Sequence, residues 1–164
     1  MQGLQSLTVL AAVRLPMLDK ERDERQDNKN DKPLAKLLIV DDDSDIAYVL
    51  KRSLVKNRFT VDAFTDSEEA LQKFQSYPKD RYCLVLSDIR MPGMSGIRLA
   101  RKIKEINRNV KVILMTSFEI KDNEFSKLFP STQVDGFVQK PVHLEALTDK
   151  ILETIGETKR RLNE

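Results

Sequence analysis

From Pro33 onward the chain alternates short apolar runs with stretches whose apolar residues recur at helical spacing, a pattern that restricts the fold to a layered α/β architecture. The runs are Lys36–Val40, Thr60–Phe64, Tyr82–Ser87, Val110–Met115 and Gly136–Gln139. Between them, Ser44–Lys56 carries Ile46, Val49, Leu50 and Leu54 on one helical face, with Ser44 or Asp45 as the expected cap. Ser67–Gln75 carries Ala70, Leu71 and Phe74, and Ser95–Ile106 carries Ile97, Ala100, Ile103 and Ile106 with its cations outward. The last helix, His143–Arg161, turns Leu144, Leu147, Ile151 and Ile155 inward. A short fourth helix is expected over Asp122–Phe129, stopped by Pro130. Strands this apolar, each followed by a helix, imply a parallel sheet covered on both faces with right-handed crossovers.

Ligands of such sheets bind outside the carboxyl ends of the strands, and the residues with chemistry collect there. The first run ends in Asp41, Asp42 and Asp43; the third ends in Asp88. Thr116 follows the fourth run and Lys140-Pro141 the fifth. Acids gathered on one edge can hold a cation, and a lone carboxylate among them can act as a nucleophile toward phosphorus.

Composition removes several alternatives. The 164 residues include 28 basic and 26 acidic ones, a net charge of +2 that points to neither nucleic acid nor a membrane surface. No apolar run approaches the roughly 20 residues that cross a bilayer. Cys83, the only cysteine, falls within a predicted core strand, which excludes an internal disulfide and suggests a reduced, cytoplasmic setting. Leu4–Leu18 is moderately apolar, but it lacks a basic leader and carries Arg14 and Pro16, unlike a secretory signal. Asp19–Lys32 is a mixed-charge stretch with nothing apolar to bury. The chain therefore divides into a disordered or partly helical extension at 1–33, a folded domain at 34–157 and a tail at 158–164. His143 reads as a surface residue, and Lys159-Arg160-Arg161 as cations favoured at a helix C-terminus.

Four segments together carry a resemblance: Leu38-Ile39-Val40-Asp41-Asp42-Asp43, Asp88-Ile89-Arg90-Met91-Pro92-Gly93-Met94-Ser95-Gly96, Met115-Thr116-Ser117 and Phe137-Val138-Gln139-Lys140-Pro141. In order, and each at its own strand end, they resemble the receiver domain of two-component response regulators, the CheY-like family, over Lys36 to Ile155. The resemblance implies a flavodoxin-like (βα)5 doubly wound five-stranded parallel sheet of order 2-1-3-4-5. It implies Asp88 as phosphoryl acceptor, with Mg²⁺ held by Asp42, Asp88 and the backbone carbonyl of Arg90, and by Asp41 directly or through water. Lys140 would form an ion pair and then contact the phosphoryl group, while the Thr116 hydroxyl moves to a phosphoryl oxygen. Phe137 would turn into the vacated space, and Pro141 would follow a cis bond. The implied partners are a histidine kinase or phosphotransfer protein and an output protein the sequence does not name, with no nucleic acid and no membrane insertion. Such a module catalyses only its own phosphorylation and dephosphorylation. With no segment of effector length after the last helix, it reads as stand-alone.

Some residues depart from the family pattern. Arg90 and Phe118 are large where they flank the acceptor site, and are expected to slow hydrolysis by hindering the attacking water. Ser117 replaces the usual alanine, Phe137 lacks the hydroxyl of the common tyrosine, and Pro130 alters the fourth helix. The principal alternative is a haloacid-dehalogenase-like phosphohydrolase with Asp41 as nucleophile, since Asp41-x-Asp43 mimics that family's motif. It lacks the later acidic pair, because Glu145 and Asp149 fall within a helix, and it leaves the Asp88 segment without a role. A degenerate receiver serving only as a scaffold is disfavoured by the intact acids, threonine and lysine. No phosphate-binding G-x-x-x-x-G-K-[ST] loop occurs.

Overall fold

Successive side chains of a strand point to opposite faces, so a strand apolar throughout must be covered on both sides. The computed structural model, which describes residues 32–118 and 132–161, meets that demand. Its elements are β1 (Lys36–Val40), α1 (Ser44–Lys56), β2 (Thr60–Phe64), α2 (Ser67–Ser76), β3 (Leu84–Asp88), α3 (Gly96–Ile106), β4 (Lys111–Thr116), β5 (Gly136–Gln139) and α4 (Leu144–Arg161). All strand pairs are parallel, in the expected order β2-β1-β3-β4-β5. Leu38, Val40, Val85, Val112 and Leu114 join α2 and α3 in one core. The alternate residues Leu37, Ile39, Leu84, Leu86, Ile113 and Met115 join α1 and α4 in the other. The expected helix at Asp122–Phe129, the extension before residue 32 and the end of the tail lie outside the described residues. Among the described residues no helix is long and apolar enough to cross a membrane.

Several expectations shift in detail. β3 runs from Leu84 to Asp88 rather than from Tyr82 to Ser87, and β4 from Lys111 to Thr116 rather than from Val110 to Met115, which carries both polar residues into the strands. Cys83 is exposed, not core. Tyr82 takes the inward position instead: its ring stacks on Phe74, and its hydroxyl donates to Asp62 Oδ2 at 2.6 Å. The next residue must then face out.

The cap of α1 is Asp43, whose carboxylate accepts the Asp45 and Ile46 N–H groups, not Ser44 or Asp45. On that helix Ala47 is buried while Val49 is 50% exposed, so the buried stripe is rotated from the one expected. On α3 the stripe centres on Leu99, Ala100 and Ile103, with Ile97 and Ile106 at its margins, and Ser95 is the cap.

Just before β5, Asp135 fastens the far side of the sheet. Its carboxylate meets Lys104 Nζ at 2.8 Å, Lys111 Nζ at 3.1 Å and the Val112 N–H at 2.9 Å. Burial pushes this carboxyl up, but the Lys104 and Val112 hydrogen bonds and Lys111 outweigh it and hold the group below the usual carboxylate range. A depressed folded-state value stabilises above the unfolded carboxyl value of about 3.9, and that contribution disappears as pH falls through the folded value. Asp135→Asn is therefore expected to cost about 2 kcal/mol near pH 7. It should also flatten the acid limb of the stability profile, as measured by denaturant unfolding from neutral pH to about pH 3.

Candidate functional site

At the carboxyl edge the strands deliver their polar ends to one place. Asp41 follows β1, with its N–H bonded to the Phe64 carbonyl at 3.1 Å, and is fully buried. Its Oδ1 accepts the Asp43 N–H at 3.0 Å and its Oδ2 accepts from Lys140 Nζ at 2.9 Å. Asp88 closes β3, 6% exposed, and its Oδ1 lies 2.9 Å from the same ammonium. Lys140 thus bridges two carboxylates that the chain places 47 residues apart (88 − 41). Burial lowers the Lys140 ammonium, yet its hydrogen bonds to Asp41 and Asp88 outweigh it and raise the group above its ordinary value. Burial raises the Asp41 carboxyl above the ordinary range, against the pull of Lys140 and the Asp43 N–H.

Asp42 turns outward, and one carboxylate oxygen each from Asp41, Asp42 and Asp88 fall within 4.8 Å of one another. Three acids around one ammonium leave the pocket short of positive charge. Hard oxygen donors with an open side suit Mg²⁺, which prefers few carboxylates and keeps several waters. The residues fit that ion.

The remaining predicted residues lie on β4, on β5 and in the loops that follow β3 and β5. Thr116 ends β4, 4% exposed, and its Oγ1 accepts the Phe118 N–H at 3.1 Å. Its carbonyl takes the Lys140 N–H at 2.7 Å, which ties the β5 end to the β4 end. Phe137 sits half-buried on β5 against the α2–α3 core. The Lys140-Pro141 bond is cis, as expected. Arg90 lies in the loop after Asp88, and its guanidinium stacks 4.2 Å from the centre of the exposed Phe118 ring.

That loop contains features with little visible sequence signal. Gly96 approaches the end of β3 so closely that a Cβ there would lie 1.9 Å from the Asp88 carbonyl oxygen. Ser87 Oγ donates to that oxygen at 2.9 Å, and Ser67 Oγ to the Met94 carbonyl at 2.8 Å. Of these only Gly96 has a sequence signal, as the second glycine of the segment that follows Asp88. Beside the site runs an apolar groove of about 370 Å³, lined by Ile46, Val49, Leu50, Pro141, Val142 and Leu144, with Lys140 on its wall.

The model of the response regulator receiver domain matches residues 37–152. The chain belongs to the response regulator receiver family. Among its relatives, the receiver protein CpdR of Brucella abortus is 32% identical over 119 residues, covering 72% of this chain and 94% of CpdR. VanRB of Enterococcus faecalis is 31% identical over 116 residues, 71% of this chain and 50% of that protein. NtrC of Escherichia coli is 42% identical over 79 residues, 48% of this chain. The chain spans about half of VanRB and 16% of NtrC. A receiver domain from Clostridium thermocellum superposes with a TM-score of 0.68 at 29% identity, covering 77% of this chain and 98% of that one. A CheY-like receiver from Methanospirillum hungatei gives 0.68 at 29%, covering 78% and 98%. Receivers are signalling modules of two-component systems rather than conventional enzymes, and they hold Mg²⁺ at an acidic pocket; the aspartate cluster here has that form.

Proposed function

We propose that this receiver takes a phosphoryl group onto Asp88 from the phosphohistidine of a kinase or phosphotransfer protein, in the cytoplasm and with Mg²⁺ bound, and that the modified form changes its protein contacts. The observation that carries this reading is the Asp88 carboxylate, 2.9 Å from Lys140 Nζ and within reach of Asp41 and Asp42. One Asp88 oxygen attacks phosphorus, the phosphorus–nitrogen bond breaks, and the imidazole leaves with the electron pair. Asp41, Asp42, Asp88 and the Arg90 carbonyl would hold Mg²⁺, which when bound supplies charge neutralisation at the phosphoryl oxygens.

Lys140 is already in place to leave one carboxylate for a phosphoryl oxygen. The Thr116 oxygen accepts from Phe118, which leaves its own O–H to donate to the incoming group. Withdrawal of Thr116 opens room for the half-buried Phe137, a local charge change that biases two packings of one element. The apolar groove sharing Lys140 with the site supports a protein donor, since an approaching domain can bury Val49 there while presenting its histidine to Asp88.

The test is incubation with Mg²⁺ and acetyl phosphate, followed by intact-mass measurement. A stoichiometric gain of one phosphoryl group that a chelator prevents is expected. A chain that stays unmodified at saturating donor would overturn the reading.

Arg90 stacked on Phe118 forms a cover beside the acceptor, an arrangement worth roughly 1 kcal/mol at an exposed site. Arg90→Ala and Phe118→Ala should each shorten the lifetime of the acyl phosphate, by roughly fivefold if that stacking energy is lost. The decay of the phosphorylated mass after donor removal reads this directly; unchanged decay in both variants would exclude a shielding role.

A further inference from the structure

We infer that Ser67, which belongs to a different βα unit from the acceptor, is a positioning residue for the cation-binding loop that follows Asp88. The inference rests on the Mg²⁺ reading above. The loop leaves β3 at Asp88 and enters α3 at Gly96. Its base is closed by the Ile89 N–H to the Met115 carbonyl at 3.1 Å and the Gly96 N–H to the Ile89 carbonyl at 2.9 Å. Its far side is held by the Ser67 hydroxyl, which donates to the Met94 carbonyl at 2.8 Å.

Ser67 is 2% exposed and Met94 1% exposed, so water has little access to replace the bond, and a buried carbonyl left alone is costly. The donor is itself held rigidly: Ser67 is the first residue of α2, next to its cap Asp66, whose side chain accepts the Glu69 N–H at 2.9 Å. Between the anchors lie only Arg90, Met91, Pro92 and Gly93, with φ fixed by the proline ring and set at +73° at the glycine. The Arg90 carbonyl is therefore on a short span pinned from β4, α3 and α2. Ser67 touches neither phosphate nor metal; it acts through Met94. Loss of a group that orients a ligand in this way commonly costs about tenfold or more in metal affinity.

The experiment uses the full chain and two readouts. In metal-free Ser67→Ala, hydrogen exchange followed by NMR should be about fivefold faster or more at the amides of Gly93 to Gly96, since local opening becomes easier. By calorimetry the Mg²⁺ dissociation constant should rise on the order of tenfold. Ser67→Cys, nearly isosteric with a far weaker donor, should move both in the same direction without leaving a void. Asp135→Asn, remote from the site, should lower stability and leave both readouts unchanged. Exchange that does not change in either Ser67 variant overturns the proposal. So does faster exchange with unaltered Mg²⁺ affinity, because the bond would then tether the loop without placing the ion. A wild-type chain that binds no Mg²⁺ overturns the cation reading itself, and the positioning role with it, whatever the exchange rates are.

Discussion

Asp88→Asn is expected to gain no phosphoryl group under conditions in which the wild-type chain is fully modified. The carboxamide is uncharged and is not a nucleophile toward phosphorus, yet it has the size of the carboxylate, so the buried end of β3 keeps its packing. Lys140 retains Asp41 at 2.9 Å, so the ammonium is not stranded. Asp41→Asn is the informative companion. It removes a charge that orients Lys140 and leaves Asp88 intact, so on the proposed reading modification should persist at about a tenth of the rate, the order of cost of losing a supporting group. Intact-mass time courses on the two variants distinguish the residues. The reverse pattern, with phosphatase turnover surviving in Asp88→Asn and lost in Asp41→Asn, would point to the hydrolase alternative in which Asp41 is the nucleophile.

Gly96→Ala is expected to be the most damaging single-methyl change near the site. Alanine is the better helix former by about 1 kcal/mol in a helix interior. Here that preference is overridden, because the new Cβ would stand 1.9 Å from the Asp88 carbonyl oxygen, 2.9 Å from its carbon and 3.0 Å from Ser87 Oγ. Two of those atoms are backbone of a central strand and cannot rotate away. Relief requires α3 to shift off the sheet, an overpacking cost of about 3 kcal/mol or more. Denaturant midpoints should fall accordingly, and the folded fraction should accept phosphate poorly, because a shifted α3 draws the loop after Asp88 out of place. Gly93→Ala is the contrast: φ is +73° but no atom lies within 4 Å of the added methyl, so the cost is limited to about 1–2 kcal/mol of left-handed strain. A Gly96→Ala midpoint no lower than that of Gly93→Ala would refute the steric account.

The strands and the acids at their ends were legible because both follow simple rules. Continuous apolar runs mark buried parallel strands, and the carboxyl edge is where such sheets bind ligands. What escaped the sequence depends on angles or on distant partners. Helical periodicity defines a stripe on α1 without fixing its centre, so it does not tell that Ala47 is buried and Val49 exposed. The cap of α1 depends on where β1 releases the chain, and that assigns Asp43 rather than Ser44 or Asp45. Cys83 shares an apolar run with core residues, yet the burial of Tyr82 beside it turns the thiol outward. The Ser67 bond to Met94 joins residues 27 apart through one hydroxyl, a pattern no local rule encodes. The sequence shows that Arg90 and Phe118 are each large, but their stacking requires the β3 and β4 ends to lie side by side, which is a property of the sheet.

The three aspartates after β1 are chemically identical and serve three different purposes. Asp41 is the buried partner of Lys140, Asp42 is exposed and lends an oxygen to the acidic cluster, and Asp43 caps α1. Their order therefore carries information that their composition does not. Loss of any one of them yields the same shortened sequence, with two acids left for three posts and either the helix or the lysine without its anion. In this tract a single-residue deletion is a frameshift of roles, and it should be far less tolerated than an equal shortening of an exposed loop.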